Sequence, residues 1–509
     1  MYSKVNTAVI DGILADVMCV EADISSGLPL FEMVGRLSKE VMEAKERVKT
    51  ALHNCGVILP PKRITMNIYP ADVPKSGTGF DLPIAVVLLL AMGAVPSFPE
   101  ERYIIIGELG LDGRIMPVNG ILPMVVDCLK KGYRNYIIPR GNHNEACLVK
   151  DAKIFSFSHL TEVIDFLRGK NYSEPDMEEH PLEASEENKD YLEVRGQLIA
   201  KRACEISASG MHNMLLIGPP GAGKTMLAER MPTIMPPLSE EEKLELSKIY
   251  SVCGQMNNRN ALLHTRPFLN PHHTITKLGL TGGGTKPVPG IISLSHKGIL
   301  FLDELTEFSK DTLEALRQPL EEHTIRISRL RGTTCFPAGF LLVAAMNPCN
   351  CGYYPNMNRC RCSYASLKRH MDKLSQPLLD RIDLCVQMET MGFEEMYGIQ
   401  KNESSAAIRK RVQQCHIIQK ERFVKENFVY NSEIPSSKMD EYCRLGEQAK
   451  SFMKEEYERR NLTARTYHKI LKVARTIADL EQAKLIEIRH LREALRYHCL
   501  DTQYFGGVL

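Results

Sequence analysis

Met214-Leu-Leu-Ile-Gly-Pro-Pro-Gly-Ala-Gly-Lys-Thr-Met-Leu-Ala228 decides how this chain is read. An apolar run enters Gly218-Pro219-Pro220-Gly221-Ala222-Gly223-Lys224-Thr225, and Met226-Leu-Ala-Glu-Arg230 follows with a helical pattern. A phosphate-binding loop requires that setting, a strand before and a helix after. Its glycines let backbone N–H groups curl around the β-phosphate, and the helix start adds its positive dipole end. Lys224 is placed to reach the β- and γ-phosphates of ATP, and the Thr225 hydroxyl to ligate Mg²⁺. A glycine-rich turn without chemistry would not need both flanks.

An ATPase also needs a hydrophobic strand ending in carboxylates, and Gly298-Ile-Leu-Phe-Leu-Asp303-Glu304 supplies one. Asp303 is expected to hold Mg²⁺ through water, and Glu304 to orient and polarise the attacking water. Leu341-Leu-Val-Ala-Ala-Met-Asn347 is a second buried-type strand with a polar tip. Asn347 either holds the lytic water or opens an Asn-Pro turn, and the two roles are compatible. Arg381, in Leu378-Leu-Asp-Arg-Ile-Asp-Leu384, is placed to project from the core towards a neighbouring subunit, and Arg465 opens an amphipathic helix running through Leu480. From spacing alone, each arginine is either a γ-phosphate contact or a solvated charge.

At 509 residues the chain has room for about three domains of ~150 residues. With 44% hydrophobic and 25% charged residues, its composition is that of a soluble globular protein. The longest apolar run, Leu82 to Val95, contains a proline and falls short of the ~20 residues that span a bilayer. Met1-Tyr-Ser-Lys has no long apolar stretch behind it, so neither a secretion signal nor a membrane anchor is expected. Most of the 15 cysteines are scattered singly, which fits a reducing, cytoplasmic setting.

The formal charge of +2 hides opposing blocks. Residues 169–190 are acidic, proline-bearing and poor in apolar side chains, the composition of a flexible linker. Neither Leu246–Leu302 nor His323–Met371 contains an acidic residue, and the second holds Arg326, Arg329, Arg331, Arg359, Arg361, Lys368 and Arg369. These two stretches flank the Asp303-Glu304 pair, and a concentrated positive field has a polyanion as its natural partner.

The order of phosphate loop, Asp-Glu strand, Asn-Pro strand tip, Leu-Asp-Arg-Ile-Asp and helical tail resembles an AAA+ ATPase. More narrowly it resembles the magnesium-chelatase-like branch and, within it, the ComM/YifB family. The residues carrying the likeness are Arg266-Pro-Phe, Pro271-His-His-Thr, Gly282-Gly-Gly, Pro289 through Phe308, Asn347-Pro-Cys-Asn-Cys-Gly352 and Ala464-Arg-Thr-Tyr467. The resemblance covers nearly the whole chain. It implies a nucleotide-dependent hexameric ring with ATP sites at subunit boundaries, Arg381 as the trans-acting arginine finger and Arg465 as the lid arginine. It further implies a DNA motor that migrates branched recombination junctions.

Cys349-x-Cys351 and Cys360-x-Cys362 have the spacing of a four-thiolate structural zinc site, with Arg359 and Arg361 to offset about −2 of local charge. The other reading is four thiols in a surface loop. We expect a structural knob close to the DNA path. His323 to Phe340, with β-branched residues on both sides of Arg331-Gly332, reads as a β-hairpin with Arg326, Arg329 and Arg331 near its tip. In the related motors such a hairpin points into the central channel, so these arginines are candidate contacts to DNA phosphates; the alternative is a solvated tip. Arg266 to Gly290, rich in Gly and Pro, reads as a mobile second insertion that by likeness also lines the channel.

Pro74-Lys-Ser-Gly-Thr-Gly-Phe-Asp81 and Gly107 to Gly120 resemble the α+β proteolytic domain of the Lon family, a fold shared with one ribosomal protein. The Ser position of that family falls on Gly79 and its Lys position on Leu122, so the activated nucleophile is missing. The expected architecture is α/β: a Lon-protease-like module (1–168), the linker (169–190), an AAA+ core with channel insertions (191–390) and a helical lid (391–509). Helices are expected at Ala406–Phe423, Glu441–Arg460, Arg465–Leu480 and Ile488–His498. The competing functions are a chelatase subunit, a protease and a non-hydrolysing switch; the front domain and cysteine loop oppose the first, Gly79 and Leu122 the second, Glu304 the third.

Overall fold

A computed structural model describes residues 1–175, 189–256, 263–329, 332–390 and 402–498. The front part is a seven-stranded mixed sheet. Its strands are β1 (Tyr2–Asp11), β2 (Leu14–Ser25), β3 (Leu30–Val34), β4 (Arg63–Tyr69), β5 (Tyr103–Ile105), β6 (Asn135–Pro139) and β7 (Lys153–Phe157), in spatial order β3-β4-β2-β1-β5-β6-β7. Along β4 the inward residues Ile64, Met66 and Ile68 alternate with more exposed ones, the period of a half-buried strand. The apolar run that is too short for a membrane becomes the helix Asp81–Ala91, buried on every side. A helix apolar all round belongs inside a core. No helix among the described residues is long and apolar enough to cross a membrane.

Asp81, fully buried, receives two 2.8 Å bonds from Arg47. Burial pushes its carboxyl up, against the pull of Arg47. Gly79 sits under Ile106 and Val118, Leu122 is packed in the core, and the buried Lys75 amine donates to the Pro70 carbonyl.

The middle of the chain forms a five-stranded parallel sheet: β8 (Met214–Ile217), β9 (Phe268–Leu269), β10 (Ile299–Leu302), β11 (Leu341–Met346) and β12 (Leu384–Gln387), ordered β9-β10-β11-β8-β12. Every residue of β8, β10 and β11 is buried, as expected of unbroken apolar runs in a parallel sheet covered on both faces. In such sheets the loops leaving the carboxyl ends build the ligand site. Here those loops begin with Gly218, Asp303 and Asn347.

Four longer helices make the tail: Ser405–Arg422, Glu447–Arg459, Ala464–Leu480 and Ile488–Arg496. Ile470, Val473, Ala474 and Ile477 form the buried stripe that their spacing predicts. The helix expected over Glu441–Arg460 is instead broken. A short turn covers Met439–Tyr442, and a new helix starts after Gly446. The reason is backbone pairing: Gly446 N donates to Ile486 O at 3.2 Å and Ile486 N to Arg444 O at 3.0 Å, which holds the chain extended between them.

The hairpin is present, with Thr324–Arg329 paired to Gly332–Pro337 and Arg329 opposite Gly332. Arg331 and the Arg329 side chain lie outside the described residues, as do most of the expected linker (176–188) and the start of the expected lid (391–401). The second insertion, Arg266 to Gly290, carries regular structure: a helix (Lys277–Thr281) and a strand pair (Gly282–Gly283 with Val288–Pro289), with a helical turn (Ile291–Leu294) just after it. Arg266 is an internal tie, bonded to Pro236 O and Lys297 O at 2.6 Å each and to Glu242 at 3.2 Å.

Candidate functional site

The phosphate loop leaves β8 and runs directly into the helix Lys224–Ile234. Gly223 adopts φ 86°, the left-handed region where L-residues are strained, and this aims consecutive N–H groups to one side. Gly218 is needed for a different reason, since a Cβ there would lie 2.6 Å from Met388 O. Gln197 braces the loop from outside, donating to Ala222 O at 3.3 Å and Glu389 O at 2.7 Å.

Lys224 is largely buried, and its amine donates to Gly218 O (2.7 Å), Pro219 O (3.0 Å) and Asn347 Oδ1 (3.1 Å). Burial lowers its pKa, against the pull of Asp303 and Glu304. The cation thus rests on neutral oxygens, and a phosphate offers it a stronger, charge-assisted bond. Thr225 Oγ1 donates to Asp303 Oδ2 at 2.7 Å, so the two oxygens expected around Mg²⁺ already meet. A hydroxyl and a carboxylate on one spot suit that hard cation. Asp303 Oδ1 accepts from Glu304 N at 2.8 Å.

Glu304 has φ 50°, a strained conformation costing about 1–3 kcal/mol in a residue other than glycine. Its carboxylate is 60% exposed, free to meet a water, with His273 Nδ1 at 3.6 Å. Asn347 caps β11, and its carbonyl accepts from His370 Nε2 at 3.0 Å. Lys224, Thr225, Asp303 and Asn347 therefore form one linked cluster, with Glu304 at its edge. Sequence reasoning assigned no role to Gln197, His273 or His370. His273 stood in the quoted Pro271-His-His-Thr motif; no local pattern marks the other two.

Arg381 and Arg465 are elsewhere. Arg381 comes three residues before β12, and its carbonyl accepts from Asn213 Nδ2 at 3.0 Å, just before β8 begins. That is the amino edge of the sheet, whereas the phosphate loop leaves the carboxyl edge. Arg381 does not project freely as expected. Its side chain is 9% exposed, with Nη2 2.6 Å from Glu321 Oε2 and Nη1 donating to Pro377 O, because Glu321 on the neighbouring helix offers a carboxylate within reach. Its buried Nε has no partner among the described residues. Arg465 is half-exposed and donates to Asp380 Oδ2 at 3.1 Å.

The sulfurs of Cys349, Cys351, Cys360 and Cys362 all lie within 4.8 Å of one another. Three of the separations are 3.3, 3.6 and 3.8 Å. Tetrahedral Zn²⁺ with bonds of ~2.3 Å would set sulfurs about 3.8 Å apart, so the donor set fits that ion. Arg359 stacks on Tyr353 at 4.9 Å. The loop was expected beside the DNA path; it packs on the phosphate loop, where a Cβ on Gly352 would lie 2.5 Å from Pro220 Cδ. Arg326 is exposed and faces Glu322 at 3.6 Å.

Three family descriptions match: magnesium chelatase, subunit ChlI, over residues 190–396; subunit ChlI of Mg-chelatase, over 20–142; and magnesium chelatase, subunit ChlI C-terminal, over 402–498. The uncharacterized protein YifB of Salmonella typhimurium is 40% identical, covering 98% of this chain and 97% of that protein. The competence protein ComM of Haemophilus influenzae is 39% identical over 96% of each. A Lon protease of Halothermothrix orenii is 26% identical over 106 residues, 20% of this chain and 13% of that enzyme.

The cluster predicts opposite failures for two substitutions. Lys224→Ala removes the phosphate ligand, and ATP affinity measured by fluorescent-nucleotide titration should fall at least about tenfold, the loss of a charge-assisted bond. Glu304→Gln should bind ATP as tightly as the unaltered protein while turnover falls roughly a hundredfold or more, the usual size of a general-base contribution. Turnover retained by Glu304→Gln contradicts its role as base.

Proposed function

This chain belongs to the magnesium-chelatase-like family, in its ComM/YifB branch, and from that premise we propose that it is an ATP-driven ring motor acting on DNA. The observation that carries the reading is the division of the ATP-site residues between opposite edges of the core sheet. Lys224 and the loop amides hold the β- and γ-phosphates. Thr225 and Asp303 would hold Mg²⁺, whose charge would offset that of the phosphates. Glu304 takes the proton from the attacking water, and Asn347 holds that water against the γ-phosphate. Arg381 and Arg465 reach the γ-phosphate of a neighbouring copy after release from Glu321 and Asp380, in a homo-hexamer assembled with nucleotide. A guanidinium supplied this way is worth about 10³–10⁵ in rate.

DNA is the substrate that the charge layout supports. The two acid-free stretches, 246–302 and 323–371, contain both insertions. Arg326, Arg329 and Arg331 would contact backbone phosphates without reading bases, which suits a motor that passes any sequence. We assign it to branch migration of recombination intermediates, as in natural transformation, acting in the cytoplasm on single-stranded or branched DNA. Cys349, Cys351, Cys360 and Cys362 would hold Zn²⁺ as a structural brace beneath the phosphate loop.

A chelatase-type subunit is the second reading. A front domain no longer argues against it, because a family description carrying the chelatase name matches residues 20–142. The relative named a competence protein favours DNA.

ATP turnover should rise severalfold with single-stranded or forked DNA. Replacing Arg326, Arg329 and Arg331 with Ala should weaken DNA binding and lower its salt slope by about 1 per lost phosphate contact. Equal turnover with and without DNA, together with unchanged DNA binding by that variant, would sink the motor reading. Metal analysis should find one zinc per chain. Chelation, or Cys349→Ser with Cys360→Ser, should remove it and lower the thermal midpoint; unchanged melting without zinc contradicts the brace.

A further inference from the structure

The tail helix Ala464–Leu480 lies along the segment that carries Arg381, and one face of it is fastened there. Arg465 reaches Asp380, and Lys469 Nζ donates to Ile382 O at 2.8 Å and Leu379 O at 3.3 Å. Thr476, seven residues beyond Lys469 on the same face, is reached by His212. The His212 ring is fully buried, with Nε2 2.7 Å from Thr476 Oγ1 and Nδ1 3.4 Å from Asp383 Oδ2. Its carboxylate partner is held below the usual range: burial pushes Asp383 up, but His212, Lys469 and Lys472 outweigh it.

Neither end of this bridge is loose. Asn213, the next residue, binds Arg381 O and Leu342 N through its side chain, and its carbonyl accepts from Asp383 N and Leu384 N, at 2.9–3.0 Å. Thr476 also accepts from Asn431 Nδ2 at 3.1 Å, and Asn431 in turn binds Asp479 of a buried cluster with Arg475 and Arg422. Gly210 packs against this bridge and leaves room for no side chain, since a Cβ there would stand 2.4 Å from His212 Nε2 and 2.5 Å from Thr476 Oγ1. His212 therefore joins two elements, each of which bears an arginine.

We propose that His212 is a positioning residue for ATP hydrolysis: it pins the helix of Arg465 to the segment of Arg381, so that both guanidiniums enter the neighbouring site as one rigid unit. The inference rests on the reading that these arginines act in trans. A buried bridge of this kind fixes spacing, and an error of about 1 Å at a reacting centre costs up to ~10²-fold in rate.

The test uses the full-length protein. His212→Gln should lower kcat for ATP roughly ten- to hundredfold while KM changes less than about twofold, since the phosphate loop lies at the other edge of the sheet. Subunit mixing separates positioning from general damage. His212→Gln subunits keep a sound phosphate loop, so turnover should return when they are mixed with Lys224→Ala subunits, which bring properly held arginines. Mixing with Arg381→Ala subunits should restore nothing. Thr476→Val, which removes only the hydroxyl, should behave in the same way and serves if His212→Gln fails to fold. Unchanged kcat, a raised KM, or failure of Lys224→Ala subunits to rescue either variant overturns the proposal. The trans reading itself is tested apart, by mixing Lys224→Ala with Arg381→Ala.

Discussion

One strand of four residues, Met214–Ile217, sets the geometry on which everything else depends. At ~3.3 Å per residue it spans about 13 Å. Its carboxyl end opens into the phosphate loop, and its amino end is tied through Asn213 to the carbonyl of Arg381. Flanking strands β11 and β12 run parallel to it in register, with Met214 beside both Val343 and Leu384. The sheet therefore brings Asn347 to Lys224 of the phosphate loop and carries Arg381 away from it. Arg381 thus stands at the edge of the sheet opposite the phosphate loop.

Much of this was legible because it is local. The runs before Gly218, Asp303 and Asn347 are unbroken and apolar, as strands buried on both faces must be, and the sheet brings their carboxyl ends to one edge. The paired cysteines converge as their spacing implies. The four-residue periodicity from Ile470 to Ile477 marked a buried face. What escaped the sequence is long-range. Nothing near Arg381 announces Glu321, nothing near Gly352 announces Pro220, and His212 reads as an ordinary polar residue until Asp383 and Thr476 arrive from far along the chain. The break at Gly446 was missed for the same reason, since its cause is Ile486.

The front sheet is more than an appendage. Its β1–β2 turn places Ile13 against the apolar cluster that includes Ile325 and Phe336 of the hairpin, and Thr334 Oγ1 donates to Asp11 at 3.4 Å. Lys286, in the second insertion, faces Glu40 at 3.2 Å, and this pairing helps hold Glu40 at a pKa of about 2, after the larger effect of Ser38. Glu145, packed beneath Leu122 N, also receives the Ser251 hydroxyl. Both insertions thus touch carboxylate-bearing parts of the front sheet. The two surfaces expected to grip an anionic polymer are seated on it.

The division of the site between sheet edges is tested most directly by mixing two inactive proteins. Lys224→Ala keeps the arginines and loses the phosphate ligand; Arg381→Ala keeps the ligand and loses the finger. If copies share sites, a mixed ring contains boundaries where both residues are intact, and ATP turnover should reappear above that of either variant alone. Turnover that stays at the level of the separate variants, in mixtures shown to form joint assemblies, would contradict the account.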